Sequence, residues 1–372
     1  MEHKAHGGLE EEGSVAIYIT DCEGPISKND NAFEFTSWLI PNGDKLFTIV
    51  SRYDDILADI VKRPGYKAGD TLKLIIPFLK AYGATNDLMR RFSSETLLLM
   101  PGSAEALHYI KSIMPSFIVS TSYEPYIDAL CRAIDFPKEN VYCTGVNMDG
   151  FEVTDKEIER LRVLKEEIVG MPMIEVPAEA RSLEDLPPRT RDVIRRLDEI
   201  FWSEIMGMRV GRALREVNPI GGYEKARAVE EIVTLTYGRL SSVIYIGDSI
   251  TDVEPFRLVR AGGGLTISFN GNQYAIREAE VAVLSHDAII LAVIAEQFKR
   301  YGKEHVLSLA EEWDISSLED HCNPSLLERL RCLYPERAPW VEKITPENME
   351  RLAHESTAFR KTVRGEAIGS LG

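Results

Sequence analysis

Features that would place a protein in a definite class are scarce in this sequence. Five cysteines occur among 372 residues, no two of them form a CxxC pair, and the seven histidines form no HExxH motif. A disulfide framework or a zinc site is therefore not expected, and we expect a reducing, cytoplasmic environment. The longest apolar run covers residues 288–295, far short of the roughly 20 residues that a membrane-spanning helix needs. No membrane insertion is expected.

Positively charged residues are fewer than negatively charged ones. Lys and Arg number 43 against 59 Asp and Glu, which gives a formal net charge of −16. An acidic surface argues against nucleic acid or anionic lipid as the main partner. Residues 1–14 contain no apolar stretch, so we expect a short disordered tail there and no secretory signal.

Short runs rich in β-branched residues alternate along the chain with segments whose apolar residues have helical spacing. Such runs predict strands covered on both faces, and the alternation predicts a parallel sheet in an α/β fold. We expect the first strand to be central, with the second and the fourth on either side of it. The predicted strands cover residues 15–20, 117–121, 141–144, 243–247, 265–269 and 281–284.

Three mainly helical stretches interrupt this alternation. Residues 26–99 and 151–217 are expected to be insertions attached to the sheet, and residues 286–372 form a helical C-terminal section. The sheet core is then assembled from residues 15–25, 100–150 and 218–285.

Acidic residues directly follow two of the predicted strands. Asp21 follows the first strand, and Asp248 follows the strand at 243–247, with Asp252 four residues further on. Ligands bind at the carboxyl ends of parallel strands, so neighbouring strands that end in this way bring their carboxylates together. Clustered carboxylates repel one another unless a cation holds them, and these hard oxygen ligands suit Mg²⁺. Taken singly, each aspartate could instead only cap a turn.

Two further segments provide partners for an anion. Ser120 and Thr121 end the strand at 117–121 and offer hydroxyl and backbone N–H groups. Lys225 stands near the start of a predicted helix and can bring a cation to the same edge. A serine-rich turn and a solvated lysine are the simpler interpretations of each segment alone.

In their order along the chain, these four segments resemble the four motifs of the haloacid dehalogenase (HAD) superfamily. The resemblance covers residues 15–23, 101–145 and 219–284. The chain is also similar to an archaeal branch of predicted phosphohydrolases, some labelled as a subunit of an energy-converting hydrogenase. The resemblance implies a Rossmannoid parallel sheet with helical caps and a Mg²⁺-dependent phosphohydrolase that acts on a small phosphorylated metabolite. It also implies an association with a hydrogenase complex.

The same resemblance implies roles for individual residues. Asp21 is the nucleophile that forms an aspartyl-phosphate, and Glu23 is the general acid and base. Ser120, or Thr121 if the register is shifted by one residue, binds the phosphoryl oxygens, and Lys225 neutralises charge beside them.

The implied Mg²⁺ site consists of the Asp21 carboxylate, the backbone carbonyl of Glu23, and Asp248. Asp252 supports it directly or through water.

Glu23 departs from the superfamily pattern, in which phosphatases usually carry Asp. Its extra methylene group shifts the proton donor by about an ångström, which can cost on the order of 100-fold in rate. Two alternatives therefore stay open. The chain could be an attenuated or non-catalytic HAD-fold binding or regulatory subunit of a redox complex, or it could be a phosphotransferase.

The first insertion lies where the superfamily places a mobile cap. Its basic and aromatic residues either meet an anionic substrate or form a solvated helical face. They are Arg52, Tyr53, Arg63, Tyr66 and Lys67.

Overall fold

The computed structural model describes residues 15–177, 180–319, 321–335 and 338–371, so the tail expected at residues 1–14 lies outside the described residues. One sheet of seven strands has the order β3-β2-β1-β4-β5-β6-β7. The strands are β1 (Ile17–Thr20), β2 (Ser116–Tyr123), β3 (Val141–Thr144), β4 (Val243–Gly247), β5 (Leu265–Phe269), β6 (Val281–Leu284) and β7 (Trp340–Lys343). Every neighbouring pair is parallel except β6 and β7. The predicted α/β fold is confirmed.

The first strand is central, as the sequence predicts. Tyr18 of β1 lies opposite Ser116 of β2 on one side and Ile244 of β4 on the other. All four residues of β1 are buried, because helices cover both faces of the sheet. The residues that follow β1 therefore emerge at the middle of the sheet edge.

Helices fill the intervals between the strands. The α-helices among the described residues are α1 (Asn31–Leu39), α2 (Gly43–Asp55), α3 (Thr71–Ala81), α4 (Asn86–Thr96), α5 (Ser103–Ile113), α6 (Glu124–Ile134), α7 (Asp155–Gly170), α8 (Pro188–Glu199), α9 (Arg212–Glu216), α10 (Tyr223–Leu235), α11 (Val253–Ala261), α12 (Gln273–Glu278), α13 (Ile289–Tyr301), α14 (Lys303–Glu311), α15 (Pro324–Leu333), α16 (Met349–Arg364) and α17 (Glu366–Gly369). No helix among those described is both long enough and apolar enough to cross a lipid bilayer.

The two helical insertions share one hydrophobic core. Helices α2 and α3 of the first pack against α7 of the second. The ring of Phe201 stacks on Tyr53 with centroids 5.8 Å apart and meets Phe78 edge-on at 6.1 Å. All three rings are fully buried. The insertions, which the sequence suggests as two helical units, thus form a single helical layer, called here the helical cap.

The C-terminal section contains a strand as well as the expected helices. Strand β7 pairs antiparallel with β6 at the edge of the sheet. Helix α16 then packs on α12. Beyond it, Leu371 is buried in the hydrophobic core of the helical cap. The C-terminal section therefore contacts both the sheet core and the cap.

Candidate active site

The carboxyl edge of the sheet brings together the acidic residues that follow β1 and β4. The backbone N–H of Asp21 donates to the carbonyl of Ile246 at 2.8 Å, which fixes the two strand ends side by side. Asp21, Asp248 and Asp252 each place a carboxylate oxygen within 4.8 Å of the others, and all three residues are buried. These hard oxygen donors stand close enough together to share one divalent cation.

Lys225, at the start of α10, supplies a buried cation to this cluster. Its Nζ donates to Asp21 Oδ2 at 2.6 Å and to Asp252 Oδ1 at 2.8 Å. Burial disfavours the charged ammonium, but the two carboxylates outweigh it and raise the pKa of Lys225. Burial and the neighbouring carboxylates raise the pKa of Asp21 to about 7 even though Lys225 opposes the shift. A further cation would therefore favour the ionised form of Asp21.

Asp252 uses both carboxylate oxygens to hold the loop after β4. Its Oδ2 accepts from the backbone N–H groups of Asp248 and Ser249 at 3.0 and 3.1 Å. Its Oδ1 accepts from the Tyr245 hydroxyl at 2.8 Å as well as from Lys225. Asp252 is thus placed to orient Asp248 and Lys225.

The hydroxyl residues of β2 point in different directions. Strand β2 continues to Tyr123, two residues beyond its predicted end. Ser120 Oγ lies 3.1 Å from Ser122 Oγ and is buried. The hydroxyl of Thr121 instead donates to the carbonyl of Ile220 at 2.9 Å. The Ser120 hydroxyl therefore donates to a side chain, whereas the Thr121 hydroxyl donates to the backbone.

Glu23 reaches away from β1 towards the helical cap. Its Oε1 accepts from the backbone N–H of Asn31, the first residue of α1, at 2.8 Å. Burial, followed by the nearby Asp30, raises the pKa of Glu23. Gly24 follows with a φ of +104°, and a Cβ there would lie 2.3 Å from Asp248 Oδ2. This position requires glycine because Asp248 packs directly against its backbone.

Two arginines that the sequence analysis did not single out complete the site. Arg360 and Arg364 are four residues apart on α16, and both donate through Nη1 to Asp248 Oδ2; the Arg364 contact is 3.0 Å long. Arg360 Nη1 also donates to the carbonyl of Asp248 at 3.1 Å. The i,i+4 spacing on a helix was the only signal in the sequence, and it does not reveal the partner.

These residues surround a small cavity of about 90 Å³ between the sheet edge and the cap. From the sheet side it is lined by Asp21, Glu23, Ser120, Thr121 and Asp248, together with Arg360 and Arg364 of α16. The cap contributes three acidic residues, Asp30, Asp54 and Asp55, and no basic residue. A larger cavity of about 670 Å³ adjoins it, and Asp55 and Leu371 line both.

The basic residues of the first insertion do not line the small cavity. Arg52 donates to the carbonyl of Ile174 at 2.7 Å, and Arg63 pairs with Asp198 at 2.9 Å. Lys67 donates to Asn218 at 2.6 Å. These side chains tie the first insertion to the second and to its return to the core. Neither of the two interpretations left open describes all five residues, because none of them lines the small cavity and Tyr53, Tyr66 and Lys67 are buried rather than solvated.

Comparison with solved structures finds a match over nearly the whole chain. The gene product AF1437 from Archaeoglobus fulgidus is 26% identical over 96% of this chain and 99% of its own, with a TM-score of 0.77. Phosphoserine phosphatase in apo form aligns at 11% identity over 78% of this chain and all of its own, with a TM-score of 0.42. The HAD family hydrolase t0658 from Salmonella enterica serovar Typhi aligns at 11% identity over 74% of this chain and 68% of its own, at 0.43.

Neither a family model nor a curated protein matches the chain. The likeness to AF1437 nonetheless extends across both insertions and the C-terminal section, so this arrangement of core and helical layer is a fold shared with another protein.

Proposed function

We propose that the chain is a cytoplasmic, Mg²⁺-dependent phosphohydrolase of the HAD type that acts on a small phosphorylated metabolite. The observation that carries the proposal is the buried contact of Asp21 with Lys225 beside Asp248. The order of the four sequence motifs, which resembles the superfamily, supports the same conclusion.

The residues present fit a Mg²⁺ ion. Asp21 and Asp248 offer carboxylate oxygens, and Asp252 holds the loop that carries Asp248. The resemblance implies that Glu23 would add its backbone carbonyl. When bound, Mg²⁺ would polarise the phosphoryl group and offset the charge that burial makes unfavourable on Asp21.

In the proposed mechanism, residues of this chain carry out the transfer of the phosphoryl group, first to Asp21 and then to water. A carboxylate oxygen of Asp21 forms a bond to phosphorus while the bond from phosphorus to the leaving oxygen breaks. The electron pair stays on the leaving oxygen, which takes a proton from Glu23. Water then attacks the aspartyl-phosphate and gives its proton to Glu23, so inorganic phosphate leaves and Asp21 is restored. Lys225 and Ser120 contact the phosphoryl oxygens throughout.

Two features support Glu23 as the proton donor. Its raised pKa favours the protonated form that a general acid needs. One carboxyl oxygen is held by the N–H of Asn31, which orients the group and leaves the other oxygen to carry the proton.

A screen of phosphorylated metabolites for release of inorganic phosphate tests the proposal. We expect Mg²⁺-dependent release by the wild type, loss of at least 1,000-fold in Asp21→Asn, and no loss in Asp44→Asn, an exposed aspartate at the start of α2. Phosphate transfer to an added alcohol without release to water would replace hydrolysis by the phosphotransferase alternative.

The contacts of Asp248 favour a second candidate. Two guanidinium groups already hold this carboxylate, which suits an attenuated protein kept for binding or regulation, such as a subunit of a redox complex like the hydrogenase implied by the resemblance. Saturable binding of Mg²⁺ and phosphate, with no turnover of any ester in the screen, would favour this candidate over the phosphohydrolase.

A further inference from the structure

Helix α16 places a pair of buried cations on one oxygen of Asp248. Arg360 is 3% exposed and Arg364 is 9% exposed, while Asp248 is 2% exposed. Both guanidinium groups donate to Asp248 Oδ2. The backbone of Gly24 packs against the same oxygen, which leaves that side of the carboxylate fully occupied.

These contacts change the charge of the carboxylate cluster. Both guanidinium groups lie on the carboxylate that a divalent cation would need, while Lys225 pairs with Asp21 and Asp252. Without the arginines, the Asp248 carboxylate would be buried without these cationic partners and would be open to a divalent cation. With them, a divalent cation that binds Asp248 Oδ2 must displace a guanidinium group or lie close to two like charges in a buried site, which is unfavourable.

A phosphate dianion lowers this cost. When a divalent cation and a phosphate dianion enter together, the dianion attracts both the cation and the displaced guanidinium group. The cavity of about 90 Å³ is small, so both ions would lie within a few ångströms of the carboxylates and the arginines. At such distances in a buried site, their mutual attraction is only weakly screened.

The two arginines differ in how firmly they are held. Arg364 also donates to the backbone carbonyls of Lys28 and Asn29, which fixes it to the start of the cap. Arg360 contacts only Asp248 among these groups, and its Nε is buried without a hydrogen-bond partner. Arg360 is therefore the guanidinium that can turn towards an anion in the cavity at the lower cost.

We propose that Arg360 and Arg364 supply to Asp248 the positive charge that a divalent cation would otherwise supply, so that this site binds Mg²⁺ weakly alone and binds it cooperatively with a phosphate-bearing anion. The inference rests on the proposed function in taking Asp248 as a metal ligand. It adds that α16, which lies outside the four motifs, determines the order and coupling of ligand binding.

Isothermal titration calorimetry on the full chain measures both affinities and their coupling, with MgCl₂ and inorganic phosphate as the probes. For the wild type, we expect saturating phosphate to tighten Mg²⁺ binding at least 10-fold, with the same factor in the reverse direction. Arg360→Gln should bind Mg²⁺ alone at least 10-fold more tightly than the wild type, about 1.4 kcal/mol, and should show a smaller coupling to phosphate. Arg360→Lys retains the charge and should stay within threefold of the wild type.

A matched control removes a positive charge elsewhere on the same helix. Arg351 of α16 is exposed and pairs with Glu342 and Glu355, so Arg351→Gln should leave Mg²⁺ affinity unchanged. Melting curves give a second readout that does not depend on turnover. Mg²⁺ should raise the melting temperature of Arg360→Gln more than that of the wild type, because Mg²⁺ replaces the lost counter-charge.

The possible results separate this inference from the proposed function. Mg²⁺ binding to Arg360→Gln that is equal to or weaker than in the wild type would mean that the arginines only orient Asp248, and it overturns the inference while the metal site stands. Equally tight binding by Arg360→Lys and Arg360→Gln would overturn the role of charge. Absence of Mg²⁺ binding in the wild type and in both variants, with phosphate present, would overturn the metal site and the inference together.

Discussion

Shortening Glu23 by one methylene group tests the proposed acid-base chemistry directly. Glu23 Oε1 and the Asn31 backbone nitrogen are 2.8 Å apart. Removing a carbon–carbon bond of about 1.5 Å retracts the carboxyl group beyond the roughly 3.2 Å at which an N–H···O contact still counts as a hydrogen bond. In Glu23→Asp the first N–H of α1 therefore loses its acceptor, and the carboxyl group moves away from the cap.

Two effects of known size follow from this retraction. Loss of the hydrogen bond should lower the free energy of unfolding by about 1 kcal/mol. A displacement of about an ångström at the proton donor should lower the rate of ester cleavage by about 100-fold. Mg²⁺ affinity should stay within threefold of the wild type, because the ligand expected from position 23 is a backbone oxygen.

Steady-state phosphate release, urea denaturation and Mg²⁺ titration on the same preparations measure the three quantities. Glu34→Asp is the matched control, since Glu34 lies on α1, accepts from Asn29 Nδ2 at 2.7 Å and is outside the cavity. The control should lose comparable stability and retain its rate. A Glu23→Asp variant that turns over faster than the wild type would refute the reasoning, because Glu23 would then be the cause of attenuation.

Three further outcomes follow from the same geometry. Lys225→Met leaves two buried carboxylates without their cationic partner and should cost about 3–5 kcal/mol of unfolding free energy at pH 7 by urea denaturation. The loss should be smaller at pH 5, where the carboxylates protonate, and an unchanged midpoint at both pH values would contradict this. Gly24→Ala should cost at least about 1–3 kcal/mol by thermal melting and also weaken Mg²⁺ binding, because the new Cβ displaces Asp248. Gly83→Ala, also at positive φ but with open space around it, should cost only the backbone strain. Burial raises the pKa of Asp54 to about 7, so the folded state keeps this proton at pH values where the unfolded chain has lost it, and stability should fall as pH rises from about 4 to about 7. Asp54→Asn should flatten that fall in urea midpoints, and parallel pH profiles for the two proteins would argue against it.

The strands, and the proximity of Asp21 to Asp248, could be predicted because both follow from short sequence patterns within the strands and directly after them. A β-branched run between turn residues specifies a buried strand, and adjacent parallel strands place their following residues at the same edge. Strand β7 (Trp340–Lys343) was not predicted. Half of its residues are charged, and it pairs only with β6 at the edge of the sheet. The sequence pattern there is too short to separate a strand from a helix.

The arginines on Asp248 could not be predicted, because no strand end or motif in the sequence marks α16 as lying at this edge of the sheet. Arg360 and Asp248 are separated by 112 positions, and nothing near either residue indicates the other. The shared core of the two insertions could not be predicted for the same reason. The burial of Phe201 against Tyr53 depends on tertiary packing of two segments whose helical patterns are each complete without the other.

The shared core also limits how the cavity can open. The helical layer joins the sheet through four crossings of the chain, near residues 26–30, 97–102, 145–154 and 217–222, and its two halves cannot separate without exposing buried rings such as Phe78 and Phe201. A lid on a single loop can swing through a wide arc, whereas a body tethered at four points can only tilt about an axis that passes close to all of them. We therefore expect exchange of ligand with solvent to need small rotations of the helical layer, at a rate that depends on the stiffness of these four connectors and on the burial of Leu371 in the same layer.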